Sequence, residues 1–527
     1  MALNLTFLSL VSFADLLAEM FSTKFLLLSS VLTGTLVSAA FAAISELPVV
    51  SLSEGASCAC SQLTTQYGDE VLGINSTNYI AEATSYWDIR ANLSPSCIFL
   101  PADADQVANA VAIISSCGAQ FAIRGGGHMN YPGSNNINGG VLLALNSLTS
   151  IKVNSDNITN DSTIELGPGN RWDDVYSALE PYGLYAVGGR LKTIGVPGLS
   201  LIGGFHYFNN KYGMTMDQHV SYDVVLGNGT QVVANATSNS DLFWALKGGG
   251  SNFGIVTKFT MKAYRIPLVS TTIQTFNESG VEAFITATVN HAQNNPSDVA
   301  AGSVISISYN ATTKDVSASL LGVENSSISP PSRFANFSAI PSETTINRII
   351  SPAEWHSQLD SPNQLFRVQF AHKTMKPDAS QLYTIFKAWK DAVDKISDVE
   401  GLYPTFVMNP VYASSATPAN TNGVGNVWGL SDDESYIIWQ LSTGWANAED
   451  DLRMSNWATS FVDYWHSVNK DLGLSSEFLY MGDASETQDP FPGFPLENVQ
   501  RMRDVRAAYD PLGFFSRLNW GGFKLSV

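Results

Sequence analysis

The amino-acid sequence predicts an α+β fold in two domains, followed by a tail whose composition is like that of the first. Three observations carry that prediction. From Pro95 to about Pro267, short β-branched runs alternate with Gly-rich turns and helical stretches. After Pro267 glycine thins out, and longer strand-like and helical runs alternate as in a second α+β unit. From Phe514 to Lys524 the Gly- and aromatic-rich composition of the first part returns. A length of 527 residues, at ~150 residues per domain, allows two or three domains. The expected division is a signal region at 1–42, a first domain at 43–266 that is completed by 479–527, and a second domain at 267–478.

Met20 to Ala42 reads as a secretory signal: Lys24 as the basic flank, Phe25 to Val37 as the apolar stretch, and Ala40-Phe41-Ala42 as a small-x-small cleavage site. Met1 to Glu19 precedes it with two acids, Asp15 and Glu19, so Met20 is a candidate initiator. The competing reading is one long N-terminal membrane anchor; no later segment supplies ~18 uninterrupted apolar residues. The four cysteines, Cys58, Cys60, Cys97 and Cys117, all lie in the first quarter. An even number behind a signal predicts two disulfides, with Cys58 and Cys60 each reaching Cys97 or Cys117. No His stands at metal-ligand spacing to them. Ten Asn-x-Ser/Thr sequons between Asn75 and Asn336 predict a glycosylated, extracellular surface.

Further elements follow in order. Val107 to Ser116 is apolar at helical spacing and leads into a strand at Gln120 to Arg124. Ser162 to Leu166 alternates as a strand, and Trp172 to Leu179 reads as a helix that Gly183 stops. Tyr222 to Leu226 and Gln231 to Ala234 flank Gly227-Asn228-Gly229-Thr230, a hairpin signal. Val256 to Tyr264 is a strand. In the second domain, strands are predicted at Ser303 to Tyr309, Ser317 to Val323, Leu365 to Phe370 and Tyr436 to Leu441, with helices at Gln381 to Ile396 and Asp450 to Asn469. Leu496 to Ala507 is the last long helix.

Charge narrows the function. There are 28 Lys+Arg against 47 Asp+Glu, a formal net charge of -19, which repels phosphate backbones and disfavours nucleic acid. Charged residues make up only 14% of the chain, so the sequons carry part of the predicted solubility.

Three glycine clusters carry the chemistry. Arg124-Gly125-Gly126-Gly127-His128 follows a buried strand; glycines without Cβ atoms let backbone N–H groups close on an anion, with a charge and a nucleophile at the ends. Gly188-Gly189-Arg190 runs through Gly195, Gly198, Gly203 and Gly204 to Gly213 and Asp217. The third is Trp244 to Thr257, including Gly248-Gly249-Gly250-Ser251-Asn252-Phe253-Gly254. There is no phosphate-binding G-x-x-x-x-G-K-[ST] loop, no Rossmann G-x-G-x-x-G and no G-x-S-x-G elbow.

In this order, and with Cys97-Ile98-Phe99-Leu100-Pro101, Tyr509-Asp510-Pro511 and Gly521-Gly522-Phe523-Lys524, the clusters resemble the flavoenzymes of the vanillyl-alcohol-oxidase superfamily. The resemblance is strongest to the berberine-bridge-enzyme-like group, in its secreted fungal branch, and runs from about Ser96 to Lys524. It implies a two-domain PCMH-type fold: an FAD domain split between N- and C-terminal parts and a substrate domain of antiparallel sheet covered by helices. It implies FAD over Arg124, Gly125, Gly126 and Gly127, joined covalently to His128. Gly133, Gly189, Gly195, Val196, Gly198, Gly204, Asp217, Gly250, Asn252, Gly254, Val256 and Asn519 complete the implied cofactor set. Where many relatives carry a second, cysteinyl anchor, this chain has Leu191, so attachment through His128 only is expected. Where many relatives have a catalytic Tyr, this chain has Asp483 in Tyr480-Met481-Gly482-Asp483. Asp483 or Tyr480 is then the candidate base, with His372 and Tyr412 as further catalytic candidates. Gln369, Asn409 and Gln440 are polar residues on the same sheet. Ile194 stands near the position that governs access of oxygen to the flavin.

The resemblance thus implies a secreted, monomeric oxidase passing a hydride from a phenolic or alcohol secondary metabolite to FAD and electrons to molecular oxygen. The alternatives are an FAD-containing cyclase or isomerase without net redox change, or a carbohydrate oxidase. No stable membrane insertion and no metal are expected.

Overall fold

The computed structural model describes residues 54–154, 162–360 and 366–525. The signal region and the sequons at Asn157 and Asn160 lie outside the described residues. No described helix is long and apolar enough to cross a membrane.

Three sheets organise the chain. The first has four strands in the order Val71–Gly73, Cys97–Phe99, Val141–Ala144, Phe121–Arg124. The three strands from Cys97 to Arg124 in that order run parallel, Phe121 opposite Val141 and Cys97 opposite Val141 on its other side. The helix Ala104–Cys117 links two of them; Asp103 caps its start by accepting from Gln106 N–H, and Gly118 ends it in the left-handed region at φ +60°. Both predicted disulfides form here, Cys58–Cys117 and Cys60–Cys97, and they fasten the helix Glu54–Tyr67 across this sheet.

The second sheet is antiparallel and built on the long strand Ile255–Arg265, which pairs with Ser162–Leu166, Leu184–Ala186 and His219–Val225. Ile151–Asn154 and Gln231–Asn235 stand at its edges. The predicted hairpin at Gly227 to Thr230 joins His219–Val225 to Gln231–Asn235, closed by Leu226 N–H on Thr230 O.

The third sheet has eight antiparallel strands, from Thr344–Ile350 at one edge to Ser475–Ser476 at the other. The helices Val281–Gln293, Ala379–Asp394 and Asp451–Asp471 cover one face, where Ile305, Ile307, Phe406, Met408, Trp439 and Leu441 pack with Phe284, Ile385, Trp389 and Val462. Because side chains alternate along a strand, the residues between these point to the opposite face. Val304, Val407, Asn409, Gln440 and Ser442 therefore stand together there and line a cavity. No strand crosses Pro267: Ile255–Arg265 belongs to the second sheet and Val269–Asn277 to the third. The strand predicted at Leu365 to Phe370 instead runs Arg367–Met375; the segment 361–365 is outside the described residues.

The C-terminal segment returns to the first domain. Phe121 N–H donates to Leu518 O and Trp520 N–H to Phe121 O, adding this segment beside the strand that carries the first glycine cluster. Asn252 holds the next residues, donating to Phe523 O and accepting from Leu525 N–H.

Candidate functional site

One cavity of about 390 Å³ joins the glycine clusters to the open face of the eight-stranded sheet. Gly125, Gly126, Gly127, His128, Gly195, Gly198, Gly250, Gly254 and Val256 line it at one side, and Asn409, Gln440, Tyr480 and Asp483 at the other.

The glycines are there because two chain segments touch. A Cβ on Gly126 would fall 2.4 Å from Gly195 N, and one on Gly125 would fall 2.3 Å from Pro197 Cγ. Arg171 ties the two segments, donating from Nη1 to Gly126 O at 3.0 Å and to Thr193 O. The backbone N–H groups of Gly126, Gly127 and His128 find no acceptor among the described residues. Unpaired main-chain donors at a cavity wall are what a phosphate-bearing ligand satisfies. Leu145, Leu191, Ile194, Leu199, Ile202 and Ile255 continue the wall with apolar surface suited to a flat ring system. The residues present fit an FAD.

His128 sits between these halves. Its Nε2 lies 2.9 Å from Thr193 Oγ1, and its ring stacks at 5.9 Å on Trp87. Burial, assisted by the Arg171 charge, pulls its pKa down to about 3. The imidazole is therefore neutral, with a nucleophilic nitrogen, at any working pH.

In the same cavity, Asp483 is a carboxyl whose pKa burial raises to about 6, with Arg190 opposing the rise. Asn409 stands between the two: its Oδ1 accepts from Arg190 Nη1 at 3.1 Å and its Nδ2 donates to Asp483 Oδ2 at 3.3 Å. Arg190 also donates to Ser303 O at 3.2 Å and lies 5.7 Å over the Phe205 ring. Tyr480 lines the cavity with a ring packed edge-on against Phe205 at 4.8 Å, and burial holds its hydroxyl well above the ordinary tyrosine value. It stays protonated near neutral pH, where the Asp483 carboxyl is largely ionised.

His372 and Tyr412 are not in the cavity wall. His372 is buried beneath it, its Nε2 accepting from Tyr480 N–H at 3.0 Å and its Nδ1 donating to Asp483 O at 2.9 Å. It is a positioning residue that clamps both ends of the Tyr480–Asp483 segment. Tyr412 is buried against His291, hydroxyl to Nε2 at 2.8 Å. Gln369 is held by Ser455, away from the cavity.

Several residues of the implied cofactor set also serve the frame. Arg124 is 2% exposed, and its guanidinium is engaged by the Glu82 carboxylate and carbonyl and stacked 5.5 Å from the Tyr86 ring. Its charge braces the fold instead of facing the cavity, because Glu82 is the nearer anion. Gly189 is pressed against Trp172, Gly204 against Thr215, and Gly133 faces Trp520. Val196 begins the helix Val196–Leu201 as a buried apolar residue. Asp217 accepts from Met214 N–H and Asn426 Nδ2. Asn252 clasps the C-terminal segment, and Asn519 accepts from Lys524 Nζ. Sequence reasoning missed Arg171, Arg190 as a wall residue, Trp87 and Phe370. Only the placing of Arg190 directly after Gly188-Gly189 could have drawn attention to it.

Comparison with known proteins agrees with this geometry. A family model described as an FAD binding domain matches residues 95–235. An FAD-dependent monooxygenase of Penicillium roqueforti, prx3, is 32% identical over 490 residues, covering 90% of this chain and 95% of that protein. Among solved structures, the wild-type BBE-like 1 of Physcomitrella patens superposes with a TM-score of 0.71 at 18% identity, over 87% of this chain and 97% of that one. The glucooligosaccharide oxidase of Acremonium strictum, with 6-S-cysteinyl, 8α-N1-histidyl FAD, superposes at 0.70 and 18% identity, over 89% and 98%. Fold and cavity thus define an FAD-dependent oxidoreductase. The chain belongs to the family of FAD-dependent monooxygenases and FAD-linked oxidoreductases, and its fold is that of the BBE-like and oligosaccharide oxidase structures.

Proposed function

We propose that the protein is an oxidase of small, largely apolar alcohols or phenols, with FAD attached through His128 alone and molecular oxygen as the final electron acceptor. The observation that carries this is one mainly apolar cavity whose wall holds both the neutral His128 and the raised-pKa Asp483. FAD, when bound, supplies the two-electron acceptor for substrate oxidation. The chain's residues supply the rest. Gly125 to His128 and Gly195 to Gly198 hold the cofactor. Asp483 takes the proton from the substrate hydroxyl, and His372 keeps the Asp483 segment in place. Leu191 at the second anchor position, and four cysteines all committed to disulfides, support the single histidyl link. The disulfides and sequons support a secreted protein.

The test is direct. Purified protein should be yellow, keep its flavin through acid precipitation, and release it there as His128→Ala. Substrate should bleach the flavin band anaerobically, and air should restore it with one peroxide per product. Product formed without bleaching at any stage would favour a cyclase or isomerase. A second reading is supported by the monooxygenase relative: an oxygen atom from labelled O2 appearing in product, with an external reductant required, would replace the oxidase reading. A sugar substrate is disfavoured by the apolar wall.

A further inference from the structure

The wall of the cavity contains two side chains of full formal charge, Arg190 and Asp483, among the described residues. They do not form an ion pair. Asn409 separates them, engaging each with a different end of its amide. A structural salt bridge would bring guanidinium and carboxylate together, most often through two parallel hydrogen bonds. Here the amide spacer keeps them apart, and each retains hydrogen-bonding capacity toward the cavity.

The donor count on Arg190 is specific. A guanidinium has five N–H donors. Both hydrogens of Nη1 are directed to protein acceptors, Ser303 O and Asn409 Oδ1. Nε and Nη2 have no acceptor among the described residues, and Arg190 makes no salt bridge. Two fixed bonds and the Phe205 ring at 5.7 Å set the plane of the fork, so the remaining edge is held in one orientation. The wall on this side mixes apolar Leu191, Val304, Val407 and Phe205 with the uncharged polar Asn409, Gln440 and Ser442. A fixed guanidinium edge without a carboxylate partner, in a cavity lined mainly by apolar residues, selects a planar oxyanion on a largely apolar molecule.

We propose that Arg190 is a specificity-determining residue that binds a carboxylate, or a chemically equivalent singly charged oxyanion, on the substrate. The inference rests on the substrate cavity assigned above. It narrows the substrate class from apolar alcohols and phenols in general to those carrying one acidic group. Asn409 has a second role in this scheme: it keeps Asp483 from neutralising the guanidinium.

Benzoate and benzamide are suitable probes, equal in shape and different in charge. Their affinities for the purified holoprotein are measured by calorimetry, with flavin content read on the same samples. A charge-assisted bond of this kind predicts benzoate binding about 10- to 100-fold tighter than benzamide. Arg190→Gln should remove that preference by weakening benzoate far more than benzamide, and Arg190→Lys should keep part of it. Equal affinities in the wild type, or no benzoate binding, overturn the proposal even if Arg190→Gln does not fold. So does an Arg190→Gln variant that loses flavin and weakens both probes alike, which would make the residue part of the cofactor's frame. A wild type that is colourless but prefers benzoate would instead sink the flavin reading and leave the anion site standing.

Discussion

Gly126 and Gly195 meet main chain to main chain: a Cβ built on Gly195 falls 2.5 Å from both Cα and N of Gly126. Gly198, one helical turn on, has nothing within 4 Å of its Cβ position yet lines the same cavity. The two positions therefore separate folding from cofactor binding. Gly195→Ala should cost about 1–3 kcal/mol through overpacking. Gly198→Ala should stabilise the flavin-free protein by about 0.5–1 kcal/mol, since it sits in a helix, while lowering flavin per protein because its methyl enters the cavity. Thermal melts and flavin absorbance on the same samples decide; full flavin occupancy in Gly198→Ala would show that the cofactor lies elsewhere.

Asp483 predicts a pH profile. With its carboxyl pKa near 6, the base form dominates above that value, so the rate of flavin reduction should rise through pH 6 to a plateau. Arg190 opposes the burial-driven rise, so Arg190→Gln should move the rising limb to higher pH. Asp483→Asn should lose the limb together with most of the rate. Stopped-flow reduction from pH 5 to 8 measures all three, and full turnover in Asp483→Asn would remove Asp483 as the base.

His372 offers a different split. Since it touches only the backbone of the Tyr480–Asp483 segment, His372→Ala should leave covalent flavin intact. It should lower kcat by up to about 100-fold through misplacement of Asp483. Equal loss of flavin and activity would contradict a role confined to positioning.

Acid stability follows from the buried imidazoles. Burial holds the pKa of His291 and His372 at about 4, and of His128 and His356 at about 3. Unfolded, each binds its proton near pH 6.5. The unfolded state thus binds more protons below that pH, and stability present above 6.5 is lost as pH falls toward 4. Asp483, with its raised pKa, acts in the opposite direction as pH falls through 6. His291→Gln, which keeps an acceptor for the Tyr412 hydroxyl, isolates one contribution. It should reduce the slope of unfolding free energy with pH by about 1 kcal/mol per unit between pH 6 and 4.5. Denaturant titrations at four pH values would show it; an unchanged slope refutes the buried-neutral assignment for His291.

Much of the frame was legible because it depends on local pattern. The helix Trp172–Leu179, the strand Ser162–Leu166 and the hairpin at Gly227 to Thr230 form where periodicity and turn residues placed them. Short strands such as Val71–Gly73 and Leu184–Ala186 were missed, since three residues carry no period. In the site, glycines marked the close approach of backbones. Which side chains face the cavity was hidden, because it depends on partners far away in sequence. Arg124 is taken by Glu82, 42 positions earlier, and Arg190 by Asn409, 219 positions later. Asn409 and Gln440 reach the wall while Gln369 does not, a matter of strand parity and of the Ser455 hydroxyl beside Gln369.

Gly522 and Phe523 belong to the cavity wall, held there by Asn252 and by the pairing of the C-terminal segment with Phe121. Their place in the chain sets an order of assembly. The glycine segment at Gly125 to His128 emerges during synthesis nearly four hundred residues before the wall that completes its cavity. A chain interrupted after Asp510 would possess the other wall residues and still lack closure. Closure of the cavity is therefore a late step of folding: the glycine segment is made first, and the wall at Gly522 and Phe523 can be added only after it.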